Sequence, residues 1–130
     1  RWDGETWHAL GLGLEGGELF SLLALPDGPV LAGGSLTHAA GVPVSGLAAW
    51  DGATWSDLNV GGVVRALEAG PGVVYAGGSF TTAGGVPANR IAQWDGADWA
   101  PLGSGVTNTS FVGPPVAVNA LAYDPSGSLY

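Results

Sequence analysis

Three aspartates recur at one repeat position, Asp3, Asp51 and Asp95, each followed by glycine at Gly4, Gly52 and Gly96. Carboxylates repeated around a scaffold would form an acid rim able to hold cations. An aspartate before glycine also closes a turn by accepting hydrogen bonds from its own backbone, and the turn reading is preferred. No D-x-D-x-D-G calcium loop accompanies these residues. Gly11-Leu12-Gly13-Leu14-Glu15-Gly16 fits G-x-G-x-x-G, the spacing that cradles a pyrophosphate. That chemistry needs a preceding strand and a following helix, and Gly16-Gly17 would break a helix, so a flexible link is expected instead. His8 and His38 fall at different repeat positions, with no matching carboxylate or second ligand nearby in sequence. They read as exposed or hydrogen-bonded imidazoles rather than zinc ligands. No nucleophile-elbow motif joins a serine to a histidine and an aspartate, so no catalytic residue, metal ligand or cofactor is assigned. The tryptophans could stack on sugar faces, against which core packing is the preferred reading. Asn108-Thr109-Ser110 is a sequon for N-glycosylation in a long polar link.

What must position these residues is a repeat. The six tryptophans lie in three copies of one phrase: Trp2-Asp3-Gly4-Glu5-Thr6-Trp7, Trp50-Asp51-Gly52-Ala53-Thr54-Trp55 and Trp94-Asp95-Gly96-Ala97-Asp98-Trp99. Ala-Gly-Gly-Ser occurs at 32–35 and 76–79, carrying Gly33, Gly34, Gly77 and Gly78, and Gly-Val-Pro occurs at 41–43 and 85–87. The second and third tryptophan phrases start 44 residues apart, the first and second 48. A fixed period in this range marks a repeat architecture.

Within a repeat the segments are too short and too interrupted by glycine and proline for helices. Val63–Leu67, Val73–Gly78, Arg90–Trp94 and Trp99–Leu102 read as four strands, with a turn at 70–72, a polar loop at Thr81–Asn89 and a hairpin at Asp95-Gly96. A two-residue loop would place Trp94 opposite Ala97, a four-residue loop opposite Trp99. Either register puts both indoles on one sheet face, because side chains alternate. The glycine pairs then read as space for the indoles of a neighbouring repeat. Four antiparallel strands in this length make one propeller blade. The expected fold is therefore all-β: blades of about 44 to 48 residues, three blades' worth of strands in an incomplete ring, with units at 1–49, 50–93 and 94–130. The strand order runs third-fourth, two full blades, then first-second. That order implies either a longer chain or copies that complete one another's blades, two copies closing a six-bladed ring.

Bulk properties narrow the partners. The net charge is −8, with Arg1, Arg65 and Arg90 the cations, which disfavours nucleic acid and anionic lipid. No apolar run is long enough to insert in a membrane. Cysteine is absent, which removes disulfides, thiolate metal sites and a thiol nucleophile. From the second tryptophan to the next repeat's leucine the spacing varies: 16 residues (Trp7 to Leu23), 12 (Trp55 to Leu67) and 22 (Trp99 to Leu121). Variable links on a constant scaffold, Gly11–Glu18 and Ser104–Pro115, are where partners are expected to bind.

Val73-Val74-Tyr75-Ala76-Gly77-Gly78 followed by Trp94 and Trp99 resembles a kelch-like propeller repeat, with Trp94 in place of the usual tyrosine. The segments 76–87, 94–96 and 118–130 are similar to Trp-Asp-Gly repeat arrays of large bacterial exoproteins. This resemblance implies an extracellular or cell-surface setting. A non-enzymatic module is expected, whose partner is a protein or glycan at the cell surface, or another copy of itself; an enzyme built on a propeller would need metal or cofactor ligands that this stretch does not offer. A lectin-like adhesin and a self-assembling surface or filament subunit are the alternatives.

Overall fold

The computed structural model describes residues 1–107 and 116–130. The described chain is all-β and its named strands pair antiparallel, without helix; the sheets do not close into a barrel or ring. One four-stranded meander runs β2 (Leu19–Ala24), β3 (Val30–Gly34), β6 (Leu47–Trp50) and β7 (Trp55–Asp57). Beside it lie β1 (Leu14–Glu15), β4 (His38–Ala39) and β5 (Val42–Pro43) as a small separate sheet. The second meander runs β8 (Val60–Gly70), β9 (Val73–Ala83), β11 (Ile91–Trp94) and β12 (Trp99–Pro101), with β10 (Val86–Pro87) on the far end of β9. Pro101, which has no N–H to donate, lies on the edge strand β12.

Two features differ from the sequence expectation. The segment Thr81–Asn89 is not a loop throughout. β9 continues to Ala83 and folds back through Gly84-Gly85 onto β10, with Val86 opposite Ala83. Both glycines have positive φ, 58° and 79°, which lets a two-residue connection turn the chain. The first-strand register also shifts the repeat correspondence by one. Leu67 opposes Ala76 and Leu22 opposes Ala32, so Leu22 rather than Leu23 is the counterpart of Leu67. The offset arises in the connection to the second strand, which has five residues between Ala24 and Val30 but four between the equivalent Ala69 and Val74; a bulge in each first strand, at Phe20 and at Arg65, falls at the same repeat position. The two bulged residues meet, the Arg65 guanidinium lying 5.1 Å over the Phe20 ring.

The largest core cluster lies between the two meanders and includes Leu31, Leu47, Val64, Val74, Phe80 and Trp94, all buried. A second cluster joins Ala32, Leu36, Val44 and Trp55 to Leu10 and Leu14. The glycine pairs set the spacing of the sheets, though not against indoles. A Cβ at Gly33 would come within 2.7 Å of Val64 Cγ1, with Leu67 next. A Cβ at Gly77 would come within 2.5 Å of Val118 Cγ1, again with a leucine, Leu121, next. The first glycine of each pair thus receives the valine and leucine of the following repeat. The second presses on backbone of its own sheet, Gly34 on the Glu18 carbonyl and Gly78 on the Val63 carbonyl.

This contrast orders two substitutions. Gly33→Ala meets a side chain that can shift and should cost about 1–3 kcal/mol. Gly34→Ala meets a carbonyl held in the strand ladder and should cost more. Urea denaturation should show this order, with Val64→Ala partly rescuing Gly33→Ala and leaving Gly34→Ala unchanged. Equal losses, or no rescue, would refute the inter-sheet role of Gly33.

Candidate functional site

Each tryptophan phrase folds as a four-residue hairpin loop. Trp50 stands opposite Trp55, Trp94 opposite Trp99, and Trp2 bridges Trp7. The paired ring centroids lie 5.4, 6.4 and 5.4 Å apart, within the range of favourable aromatic contact. The two expected registers are thereby resolved in favour of the four-residue loop.

The turn aspartates are occupied by their own loops. Asp51 Oδ1 accepts the Thr54 and Ala53 N–H groups at 2.7 and 2.8 Å, and Asp95 Oδ1 accepts those of Asp98 and Ala97 at 2.8 and 2.9 Å. Asp3 does the same with Thr6 and Glu5. The backbone donors, led by Thr6, Thr54 and Asp98 respectively, hold these three carboxyls below the usual aspartate range. Gly4, Gly52 and Gly96 follow with φ of 105°, 105° and 102°, a conformation that side chains resist. The three carboxylates are not brought together as a cation site.

The histidines separate. His38 lies on β4, its ring beside the Thr37 hydroxyl at 3.1 Å. His8 does have a carboxylate neighbour, contrary to the sequence expectation. Its Nε2 contacts Asp3 Oδ2, and the Thr6 hydroxyl lies 3.0 Å away. The hairpin brings positions 3 and 8 side by side across its strands, a proximity that linear spacing hides. The group is exposed. Asn108 lies outside the described residues.

The glycine motif at 11–16 becomes a turn leading into a strand. Gly11, Gly13 and Gly16 have φ of 60°, 86° and 76°, and Leu14–Glu15 pairs with His38–Ala39, where a dinucleotide site would need a helix. Its first half belongs to the repeat. Three residues after each second tryptophan stands a leucine, then Gly or Asn, any residue, and glycine: Leu10-Gly11-Leu12-Gly13, Leu58-Asn59-Val60-Gly61 and Leu102-Gly103-Ser104-Gly105. Gly11, Asn59 and Gly103 share a left-handed φ of 60°, 54° and 54°.

That leucine carbonyl is the functional group the sequence reading missed. Trp55 Nε1 donates to the Leu10 carbonyl at 3.0 Å, and Trp99 Nε1 donates to the Leu58 carbonyl at 3.0 Å. Each second indole is thus tied to the segment that follows the preceding indole pair. Trp55 is 6% exposed, whereas Trp7 is 79% exposed and Trp2 50%. Aligning the residues after the tryptophans, instead of stopping at them, would have found the leucine.

Arg90, also unassigned from sequence, holds the link after β12. In a left-handed conformation (φ 67°), it donates from Nε to the Val116 carbonyl and from a terminal nitrogen to the Val106 carbonyl, each at 2.7 Å. Asn89 adds a bond to the Ser104 carbonyl at 3.0 Å. A cleft of about 410 Å³ opens among the turn ends, lined by Leu25, Pro26, Val73, Trp94 and Asp95. Its walls are chiefly apolar, and the Asp95 carboxylate is turned to its own loop. The cleft therefore presents no convergent polar set to orient a substrate.

Comparison with protein-family models, with curated proteins and with solved structures finds no match to this chain.

Two outcomes follow from this geometry. Trp99→Phe removes the donor and leaves the Leu58 carbonyl without its indole partner, which should cost about 2–4 kcal/mol in urea unfolding. Trp7→Phe, at an exposed indole, should change the isolated chain by less than about 0.5 kcal/mol; equal effects would dismiss the indole–carbonyl tie. The aspartates set an acid limb. Their folded pKa values lie below the unfolded 3.8, so their stabilisation is fully present above that pH and is lost as pH falls through the lower folded values. Asp51→Asn with Asp95→Asn keeps the Oδ1 acceptor, so neutral stability should hold while the acid slope flattens. An unchanged slope in an acid titration followed by circular dichroism would contradict this assignment.

Proposed function

We propose that this chain is a stretch of a kelch-like propeller and serves as an extracellular or cell-surface binding and structural module rather than an enzyme. One observation carries the reading. The contact between successive repeats recurs with the same parts: valine and leucine over the first glycine, and second indole to the carbonyl three residues past the preceding one. Repetition of one contact generates a rigid stack or ring by a constant operation, which suits display rather than a unique catalytic arrangement. The turn aspartates support a structural use, because their acceptor oxygens are taken by the backbone. The links between repeats differ in length, and the link at 11–18 carries an exposed Leu12 at 83%. These links supply the specificity for a protein or glycan partner.

The lectin-like alternative has one specific support, the exposed Trp2–Trp7 pair, whose faces suit a sugar ring. Electron microscopy of the intact protein tests the architecture. Sheets should radiate about a central axis as four to eight blades, the usual propeller number. A linear stack without a channel would overturn the propeller. Protease treatment of intact cells should release the module, and protection inside the cell would overturn the surface placement.

A further inference from the structure

The two contacts between successive repeats share a register but not a filling. Two residues past Leu121 stands Tyr123, whose ring stacks on Tyr75 of the preceding repeat, with centroids 6.0 Å apart and planes inclined by 18°. Two residues past Leu67 stands Ala69 instead. Leu31 takes the place of Tyr75, because Leu31 opposes Leu23 as Tyr75 opposes Glu68. At these positions the first contact carries no aromatic ring where the second carries a stacked pair. The cleft of about 410 Å³ opens here, with Ala69, Val74 and Trp94 on one side and Leu25 and Pro26 on the other. Both walls belong to repeats that already face each other. A further repeat added by the same contact would lie against Leu22 or against 118–130 and would leave the cleft open.

One wall of the cleft carries charge. Asp3 and Asp51 commit both carboxylate oxygens within their own loops, Oδ1 to backbone N–H groups and Oδ2 to the hydroxyl of Thr6 or Thr54. In the third loop Asp98 stands in place of that threonine. Asp95 Oδ1 is held as in the other loops, but Oδ2 has no donor among the described residues, and Asp95 lines the cleft. The N–H groups of Asp98 and Ala97 hold the Asp95 carboxyl below its usual range, so it is ionised at neutral pH. Asp98 adds an exposed carboxylate in the same loop. A second hollow of about 550 Å³ shares Trp94 and Gly96 with the cleft and adds Asp27 and Asp51. None of the three arginines lines either space.

We propose that the cleft binds a small aromatic amine, with its ring between Leu25 and the Trp94 indole and its ammonium on Asp95 Oδ2. An apolar slot with one charged group at its edge selects a ligand divided in the same way. The ring replaces the tyrosine ring that Ala69 omits and gains contact with an indole. The uncommitted oxygen and the carboxylates around it attract a cation and repel an anion. This site is separate from the links between repeats. It depends on a single repeat-to-repeat contact, so it holds whether or not the sheets radiate about an axis.

Tyramine is the probe, with p-cresol supplying the ring alone and butylamine the ammonium alone. In NMR titration tyramine should shift the Trp94 indole N–H resonance saturably. p-Cresol should bind about two- to fivefold more weakly, the worth of an exposed ion pair, and butylamine should give no saturable shift. Asp98→Thr, at an exposed position, returns the hydroxyl donor to Oδ2. It should weaken tyramine about two- to fivefold and leave p-cresol unchanged. Ala69→Tyr, folded by circular dichroism, should fill the cleft and abolish binding of both rings. The proposal is overturned by the absence of a saturable shift at the solubility limit of tyramine, by equal affinity for tyramine and p-cresol, or by saturable binding of butylamine. Binding that survives Ala69→Tyr overturns it too, as does a shift confined to Trp2 and Trp7, which would put the ring on the exposed pair. Should Ala69→Tyr fail to fold, Asp98→Thr decides alone, and unchanged tyramine affinity there rejects the site.

Discussion

The hydrogen bond from an indole to the backbone of the preceding repeat is the constraint on which the rest of this structure depends. An indole N–H taken out of water without an acceptor costs about 1–3 kcal/mol, and the second indole of a pair meets this demand with a backbone carbonyl. Trp55 finds it at Leu10 and Trp99 at Leu58. The acceptor must therefore be presented at a fixed place, and that requires the chain after each tryptophan pair to turn sharply. The left-handed residue at Gly11, Asn59 and Gly103 makes the turn. One bond thus explains the phrase after the tryptophans, the near-constant repeat period and the direction in which repeats add.

Steric exclusion does the complementary work. The sheets approach closely because Gly33 and Gly77 have no side chain where Val64 and Val118 arrive. Here the glycine is not needed for its backbone freedom, since neither residue has positive φ; it is needed for its missing Cβ. The second glycine of each pair answers a different demand, clearance from a carbonyl in the adjacent strand. Polar burial is kept low throughout. No polar or charged residue among those described is fully buried, which a chain with 11% charged residues achieves through backbone pairing and turn carboxylates. The buried Arg65 Nε, which has no hydrogen-bond partner among the described residues, is an exception at the atomic level, and its guanidinium rests on Phe20 at the matching bulge.

The strands and the pairing of the indoles were legible because short apolar runs between glycines admit few other foldings, and because copies of one phrase confirm one another. The four-residue turn was not, since Asp-Gly serves both loop lengths until cross-strand packing of the rings selects Trp94 opposite Trp99. The partner of the glycine pair was misread for a related reason. Gly-Gly and Trp-Trp recur with the same period, but period equates positions without saying which are in contact. Contact is decided by the sheet-to-sheet offset, and that places Val64 and Leu67, not an indole, over Gly33. One extra residue in the connection at 25–29, against four at 70–73, moved the leucine correspondence by one residue, a shift that composition cannot signal. The His8–Asp3 contact, five residues apart, escaped notice because Asp3 was assigned wholly to its turn, while its second oxygen faces His8 across the hairpin.

A scaffold of this kind separates its two requirements by position. The contacts that fix repeat on repeat use backbone carbonyls, glycine clearance and indoles, none of which tolerates much substitution. The link at 11–18 is itself held by backbone, with Leu14–Glu15 paired to His38–Ala39 and Gly17 against the Ser35 carbonyl, while the Leu12 side chain stays exposed. Arg90 shows how a longer link is still held, by bonds from one guanidinium to carbonyls on both sides of it. Those bonds read backbone alone. The links differ in length, while the contact between repeats is made each time with the same parts: valine and leucine over a glycine, and an indole on a leucine carbonyl.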